Sequence, residues 1–384
     1  MTTVVVSGAI ANKYLNGGEA WVRLSWVLGL QKLGCTVYFV EQIDPANCLD
    51  ASGAVTTFDD CVNRKYFDEV TQRFGLAGAT LVCSDASATS GLDLDELVSV
   101  AESADLLVNI SGHLSLKPIM SRLRRRAYVD LDPGFTQFWH SAGNAGARLD
   151  GHDVFFTVGE NIGTPRCRVP TGGISWRGVR PPVVLDEWPV SRDGDADRFT
   201  TVATWRGPFG PIEHEGETFG LKVHEFRKVI GLPKAVPMTF EIALDIHPDD
   251  SRDLEALQDN GWRIVDPKAT VPDPDSFRRY VQTSGAEFSV AQGIYVTGEV
   301  GWFSDRTVRY LASGKPVLVQ DTGFTRSYPV REGLMAFTGL DDAVAGAKRI
   351  SAAHEAHAEA ARALAEEYFD SDKILPRFLE QALS

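Results

Sequence analysis

Two side chains in the first half of the chain lie where a proton-transfer group could act. His113 directly follows the apolar run 106–110, and Asp132 directly follows the apolar run 127–131. Imidazole and carboxylate groups are common general bases, and parallel sheets bind ligands at the carboxyl ends of their strands. We therefore predict His113 and Asp132 as candidate catalytic residues. A structural histidine and a turn-forming aspartate are the alternatives.

Two other segments have the composition of anion-binding sites. Gly17 and Gly18 precede a predicted helix, where glycines let the backbone approach an anion at the helix N-terminus. Ser304 is suited to cap a later predicted helix, in whose first turn Arg306 would oppose the helix dipole unless it binds something outside the helix. A bound diphosphate would explain both segments. A plain glycine turn and a salt bridge between Asp305 and Arg306 are the alternatives.

The elements that must position these residues alternate between strands and helices. Strands are predicted at 4–9, 37–40, 106–110, 127–131, 153–158, 199–203, 239–246, 263–265, 287–291 and 316–320, and helices lie between most of them, including one at 117–126. The alternation predicts an α/β fold with two Rossmann-like, doubly wound parallel-sheet domains that face a cleft.

A proline-rich and then polar stretch at 177–197 interrupts the alternation and predicts a domain boundary. We place an N-terminal domain at 1–190 and a C-terminal domain at 191–365. The last segment, 366–384, is predicted to be a helix that packs back toward the N-terminal domain. His354 and His357, at i, i+3 on a polar helix, are expected to face solvent.

The segment 288–324 has a characteristic order of residues. A helix ends in Leu-Ala-x-Gly-x-Pro-Val at 311–317, and a strand and a loop with Thr-Gly at 322–323 follow. This segment resembles the nucleotide-binding half of GT-B glycosyltransferases, which have two Rossmann-like domains. The resemblance implies that Arg206, after the first strand of the second domain, and Lys222, which opens the next helix, bind the donor diphosphate.

The sequence also departs from that family. Many retaining members carry two glutamates where this chain has Gly301 and Arg309, so their sugar and ribose contacts are not carried over. Asp321 and Thr322 are instead candidate partners of sugar hydroxyls, with turn formation as the alternative. The loop after the first strand lacks the histidine base that inverting members often use. Retaining or inverting stereochemistry therefore stays open.

The resemblance implies a hexosyltransferase that moves a sugar from a nucleotide-diphosphate sugar to a small hydroxylated acceptor, such as a bacterial secondary metabolite. It also implies that the domain at 1–190 binds the acceptor and the domain at 191–365 binds the donor. The nucleotide sugar is a co-substrate, and no further cofactor is expected. Residues 130–132 are similar to the DxD motif of single-domain, metal-dependent transferases, but no second ligand cluster is nearby, so we expect no metal. A sugar-nucleotide epimerase of the same fold and a non-catalytic sugar-nucleotide-binding protein are the alternatives.

Composition restricts the partners. The 384 residues carry 38 basic and 52 acidic side chains, a net charge of −14, which disfavours nucleic acid and anionic membranes. No apolar run reaches the length of about 20 residues that a membrane span needs. Five cysteines without CxxC spacing indicate neither a disulfide framework nor a zinc site. We expect a cytoplasmic protein, and the sequence does not indicate its oligomeric state.

Overall fold

The first half of the chain forms an eight-stranded sheet in the structure, a computed structural model that describes residues 1–207 and 209–384. Its strands are β1 (Thr3–Ser7), β2 (Thr36–Ile43), β3 (Thr80–Cys83), β4 (Thr89–Ser90), β5 (Leu106–Ile110), β6 (Arg126–Asp130), β7 (Val154–Thr157) and β8 (Trp176–Gly178). They lie in the order β4-β3-β2-β1-β5-β6-β7-β8, and only the β3–β4 pair is antiparallel within this sheet. The connecting helices are α1 (Gly17–Lys32), α2 (Val62–Arg73), α3 (Leu94–Ser103), α4 (Lys117–Met120) and α5 (Phe135–Ser141).

The second half forms a six-stranded parallel sheet. Its strands are β9 (Arg198–Thr204), β12 (Thr239–Asp245), β13 (Arg263–Val265), β14 (Ala286–Ser289), β15 (Val317–Gln320) and β16 (Leu334–Phe337), in the order β13-β12-β9-β14-β15-β16, while β10 (Ile212–His214) and β11 (Glu217–Phe219) form a separate hairpin. The helices are α6 (Lys222–Lys228), α7 (Leu232–Ala235), α8 (Ser251–Asp259), α9 (Pro267–Thr270), α10 (Pro274–Gln282), α11 (Gly293–Thr297), α12 (Asp305–Ala312), α13 (Leu340–Ala352), α14 (His354–Tyr368) and α15 (Ser371–Leu383). The predicted fold of two doubly wound parallel sheets is confirmed.

The two halves are joined by direct packing. Trp21 on α1 donates its indole N–H to the carbonyl of Pro274 at 2.8 Å and packs edge-on against Trp188, with ring centroids 4.9 Å apart. From the other end of the chain, Phe378 on α15 packs against Trp26 and Phe156 of the first half. Within the described ranges, no helix is both long and apolar enough to cross a bilayer.

Two local predictions were wrong. The helix predicted at 117–126 ends at Met120, because Arg126 begins β6 and binds Asp153 through both its backbone N–H, at 2.8 Å, and its guanidinium. His357 does not face solvent: it is 1% exposed, and its Nδ1 accepts a hydrogen bond from the backbone N–H of Gly333 at 3.0 Å. In both cases a long-range partner outweighs the local pattern.

Candidate active site

Asp132 lies where the loop after β6 meets α11 of the second domain. The hydroxyl of Tyr295 donates a hydrogen bond to Asp132 Oδ1 at 3.2 Å. Burial raises the pKa of Asp132 to about 6, and the nearby carboxylates of Asp130 and Glu19 add to the rise. A carboxylate with a pKa near neutrality is suited to take a proton from an acceptor hydroxyl. Its catalytic role stays a prediction, and the geometry is compatible with it.

His113 lies in the same cleft, but its environment does not suit a general base. The Arg148 guanidinium lies 3.3 Å from His113 Nδ1, and a guanidinium only donates, so Nδ1 accepts and the neutral ring carries its proton on Nε2. Burial and then nearby positive charges lower the pKa of His113 to about 3; those charges belong to Arg23, Arg148 and Lys13. The ring therefore presents an N–H donor to the cleft, not a proton acceptor.

Asp130, the first acid of the DxD-like segment, is fully engaged by the protein. Its Oδ1 accepts from the Asp132 backbone N–H and the Thr136 hydroxyl, and its Oδ2 accepts from the Gln137 amide and the Thr157 hydroxyl, at 2.7 to 3.0 Å. This carboxylate fixes the loop that carries Asp132. Among the residues described, no group of three or more His, Cys, Asp or Glu side chains could hold a metal ion.

The glycines that follow β1 pack against the second domain. The backbone N–H of Gly17 donates to the carbonyl of Val271 at 3.0 Å, and a Cβ added at Gly17 would lie 2.0 Å from the carbonyl oxygen of Asp273. A Cβ at Gly18 would lie 2.9 Å from the Phe277 ring. Close interdomain packing thus explains both glycines, and their predicted approach to a diphosphate stays untested.

The backbone of the loop before these glycines binds a buried carboxylate of the protein, that of Glu41. The carboxylate of Glu41, at the end of β2, accepts hydrogen bonds from the three consecutive backbone N–H groups of residues 10–12 at 2.7 to 2.9 Å. Glu41 is 0% exposed. Because three amide donors satisfy it, this buried carboxylate holds the loop that carries Lys13 at the cleft.

Arg306 is bound by the protein on three sides. Its Nε donates to Glu287 at 2.7 Å, its Nη1 to the carbonyl of Val202 at 2.9 Å and its Nη2 to the hydroxyl of Ser289 at 2.6 Å. The alternative pairing of Arg306 with Asp305 is wrong, since Asp305 instead pairs with Arg309. Ser304 caps α12 as predicted, accepting from the Arg306 backbone N–H at 3.2 Å.

These contacts give a prediction for Arg306. Arg306→Ala should lower the free energy of unfolding by about 3 to 5 kcal/mol, because it leaves the carboxylate of Glu287, 0% exposed, buried without its charge partner. Urea unfolding measures the change. The double variant Glu287→Gln with Arg306→Met should lose much less, since it removes both charges. Wild-type stability for Arg306→Ala would refute the structural role and favour the predicted diphosphate contact.

Lys222 and Arg206 differ in whether their charged groups form salt bridges with carboxylates of the protein. Arg206 pairs with Asp250 through Nε and Nη2 at 2.6 to 2.9 Å. Lys222, the first residue of α6, is half-buried, and no carboxylate among the described residues lies within 4 Å of its Nζ. Burial and the neighbouring Arg306 guanidinium together lower the pKa of Lys222 to about 7, against a smaller opposing effect of the Glu287 carboxylate. Lys222 is therefore a cation without an anionic partner.

An open pocket of about 450 Å³ lies at the carboxyl ends of β12 and β13. Its lining includes Leu244, Ile246, Ile264, Val265 and Lys268. The pocket joins the residues at the end of β12 to those at the end of β13 and in the loop that follows it. Asp245, Asp266 and Gln258 also line the pocket, so its walls are partly apolar and partly polar.

Asp321 and Thr322 stabilise their own loop. Asp321 Oδ1 accepts from the backbone N–H of Gly323 at 2.8 Å, and Oδ2 accepts from the Thr325 hydroxyl at 3.0 Å. Thr322, which is 1% exposed, donates to the carbonyl of Trp302 at 2.6 Å. The turn-forming alternative therefore describes these contacts, and their predicted role toward sugar hydroxyls stays untested.

Several charged residues of the cleft were not predicted. Arg23 lies across Gly8, where an added Cβ would be 2.7 Å from Arg23 Cγ, and it pairs with Glu19. The i, i+4 spacing of Glu19 and Arg23 on α1 could have indicated that pair. No sequence signal placed Tyr295 or Arg148 in the cleft, because their partners are more than 30 residues away.

Comparisons with known proteins agree with this architecture. No protein-family model and no curated protein matches the chain. Among the solved structures that match are three that superpose over nearly its full length. An alpha-glucosyltransferase in complex with UDP and a 13-mer DNA has a TM-score of 0.58 at 12% identity, covering 100% of this chain and 99% of that one. Sucrose-phosphate synthase from Thermosynechococcus elongatus has a TM-score of 0.54 at 12% identity, covering 99% and 98%.

The third structure is HepE of Anabaena in complex with UDP and glucose. Its TM-score is 0.56 at 10% identity, covering 99% of each chain. These likenesses show that the chain has the GT-B fold, which the segment 288–324 predicted.

Proposed function

We propose that the protein is a glycosyltransferase that moves a sugar from a nucleotide-diphosphate sugar to a small hydroxylated acceptor. The observation that carries the proposal is the ammonium of Lys222 at the carboxyl edge of the second sheet, which no carboxylate in the described part of the chain contacts. The backbone N–H of Lys222 donates to the Gln292 side chain at 2.7 Å, and Tyr295, on the helix that follows Gln292, binds Asp132 of the first domain.

The order of groups along this edge supports a nucleoside diphosphate as the donor. The pocket lies at β13 and β12, Arg206 follows the next strand, β9, and Arg306 spans β9 and β14 beside Lys222. Adjacent strands lie about 4.8 Å apart, so a base in the pocket and a diphosphate at Lys222 would lie along one row. Similar structures contain UDP or UDP-glucose.

The distribution of carboxylates favours transfer over epimerisation. An epimerase needs acid and base groups on both sides of the sugar, yet on the second-domain side Glu287 holds Arg306 and Asp305 holds Arg309. Asp132, whose pKa burial raises to about 6, lies on the first-domain side. One base on the acceptor side is what glycosyl transfer requires.

A small acceptor fits the charge of the chain better than a nucleic acid does. One similar structure contains DNA, but this chain has a net charge of −14, which repels a phosphate backbone. The proposed reaction needs no metal, because Lys222 and Arg206 would neutralise the charge of the diphosphate. A cytoplasmic location is also part of this proposal.

A thermal-shift series tests donor binding. UDP, ADP, GDP and TDP are each added to the full chain, with uridine as the control without phosphate. The matching diphosphate should stabilise the protein by about 2.7 kcal/mol at one hundred times its Kd, whereas uridine should stabilise it far less. Incubation with the corresponding nucleotide sugar and an acceptor panel then separates transfer from epimerisation. No stabilisation by any diphosphate would refute the proposal.

A further inference from the structure

The loop after β5 is held rigidly toward the cleft. Ser111 and Gly112 both adopt left-handed backbone conformations, with φ of 54° and 64°. The buried amide of Asn109 clamps the far side of the turn, donating to the carbonyl of Leu114 at 2.9 Å and accepting from its N–H at 3.0 Å. A left-handed serine is strained, and strain of this kind is concentrated at functional sites. The loop presents His113.

Another segment with a left-handed residue, Arg148, packs against this loop. Arg148 has a φ of 54°, and a Cβ added at Gly112 would lie 2.7 Å from the carbonyl oxygen of Arg148. The exposed guanidinium of Arg148 then donates to His113 Nδ1, which leaves the proton on Nε2, and no acceptor for this N–H is found among the described residues. Two backbone segments in sparsely populated conformations thus bring two hydrogen-bond donors side by side.

The neutral His113 ring and the Arg148 guanidinium lie near a second cation, Lys13. We call Lys13, His113 and Arg148 the first-domain cationic cluster; Lys13 and Arg148 are close enough to lower the pKa of His113. Among the residues described, no carboxylate lies within 4 Å of Lys13 or Arg148, and the nearby Glu19 is paired with Arg23. Unpaired like charges that converge in a chain of net charge −14 indicate a site for an external anion.

The donor diphosphate does not account for this cluster. The charges that most affect His113 belong to Lys13, Glu19, Arg23 and Arg148, all of the first domain. Those that most affect Lys222 belong to Arg306 and Glu287, both of the second domain. Lys13 and Arg148 thus belong to the first domain and Lys222 and Arg306 to the second, and the proposed donor site uses Lys222 and Arg206 of the second domain.

We propose that the acceptor carries an anionic group, a carboxylate or a phosphate, which Arg148, Lys13 and the Nε2–H of His113 bind on the same side of the cleft as Asp132. The inference rests on the proposed function, because it names the class of its acceptor. The anion would fix the acceptor so that a hydroxyl of the same molecule reaches Asp132. Two charge-assisted hydrogen bonds give both affinity and orientation.

The test follows the His113 ring by NMR in the full chain saturated with UDP. Inorganic phosphate and acetate are titrated separately, and the His113 signals are assigned with His113→Gln. Binding of the preferred anion should raise the pKa of His113, since a negative charge stabilises the imidazolium, and the anion that acts shows which group the acceptor carries. Arg148→Gln should weaken that anion about 10- to 100-fold, whereas the exposed Arg124→Gln should leave binding unchanged.

Three results would overturn the proposal. In the first, neither anion shifts the His113 signals. In the second, the anions shift these signals in Arg148→Gln as much as in wild type. In the third, UDP abolishes the shift, which would assign the cluster to the donor diphosphate. The anion titration is repeated without UDP. If UDP itself fails to bind, the proposed function fails, while the titration without UDP still reports whether the cluster binds an anion.

Discussion

Asp132→Asn should lower turnover by about 10² to 10⁴-fold with UDP affinity little changed. The expectation follows from the position of Asp132 in the cleft and from its pKa of about 6, raised chiefly by burial. Above pH 6 the carboxylate is charged and can accept the proton of the acceptor hydroxyl. Wild-type kcat should therefore fall as the pH drops below about 6, and this acidic limb should be absent from the variant.

Stability measurements separate catalysis from structure. Because the pKa of Asp132 is raised, its charged form destabilises the folded protein above pH 6, so Asp132→Asn should be about 1 to 2 kcal/mol more stable at pH 8. The exposed Asp150→Asn is the matched control and should change neither quantity. Tyr295→Phe removes the hydrogen bond that lowers the pKa of Asp132, so its acidic limb should move to higher pH. Wild-type turnover in Asp132→Asn would make the departing phosphate the base.

Lys222→Met should weaken UDP about 10- to 100-fold and leave uridine binding unchanged. The ammonium lacks a carboxylate partner among the described residues, so a diphosphate would supply its one charge-assisted contact, worth about 1.5 to 3 kcal/mol. The comparison of UDP with uridine by calorimetry isolates the diphosphate. Lys234 is an exposed lysine on α7 of the same domain, and Lys234→Met provides the control.

The pH dependence gives an independent check. The pKa of Lys222 is lowered to about 7, mainly by burial, so the free protein loses this charge as the pH rises through 7. UDP affinity should fall between pH 7 and 9 in wild type, where the diphosphate is already fully ionised. Lys222→Met should show a flat profile and should be at least as stable as wild type, since a buried charge is gone. Equal loss of UDP and uridine would instead mean that Lys222 is structural.

Local sequence patterns determined the elements and their order. The predicted strands at 106–110 and 263–265 match β5 and β13 to the residue, and the helix predicted from 305 begins at Asp305 with Ser304 as its cap. These elements are defined by runs of apolar residues and by caps, which depend on neighbours in sequence. The same patterns gave the two parallel sheets, since alternating strands and helices leave few other topologies.

Only the tertiary structure decided which charged residues are free to act. In sequence, Arg306 and Lys222 are equally good ligands for a diphosphate, but Glu287 and two further acceptors bind Arg306 while Lys222 has no carboxylate partner in the described chain. His113 and Asp132 were equally good bases, until Arg148 fixed the tautomer of one and burial raised the pKa of the other. The availability and protonation of a side chain depend on partners that are distant in sequence, and folding alone brings those together.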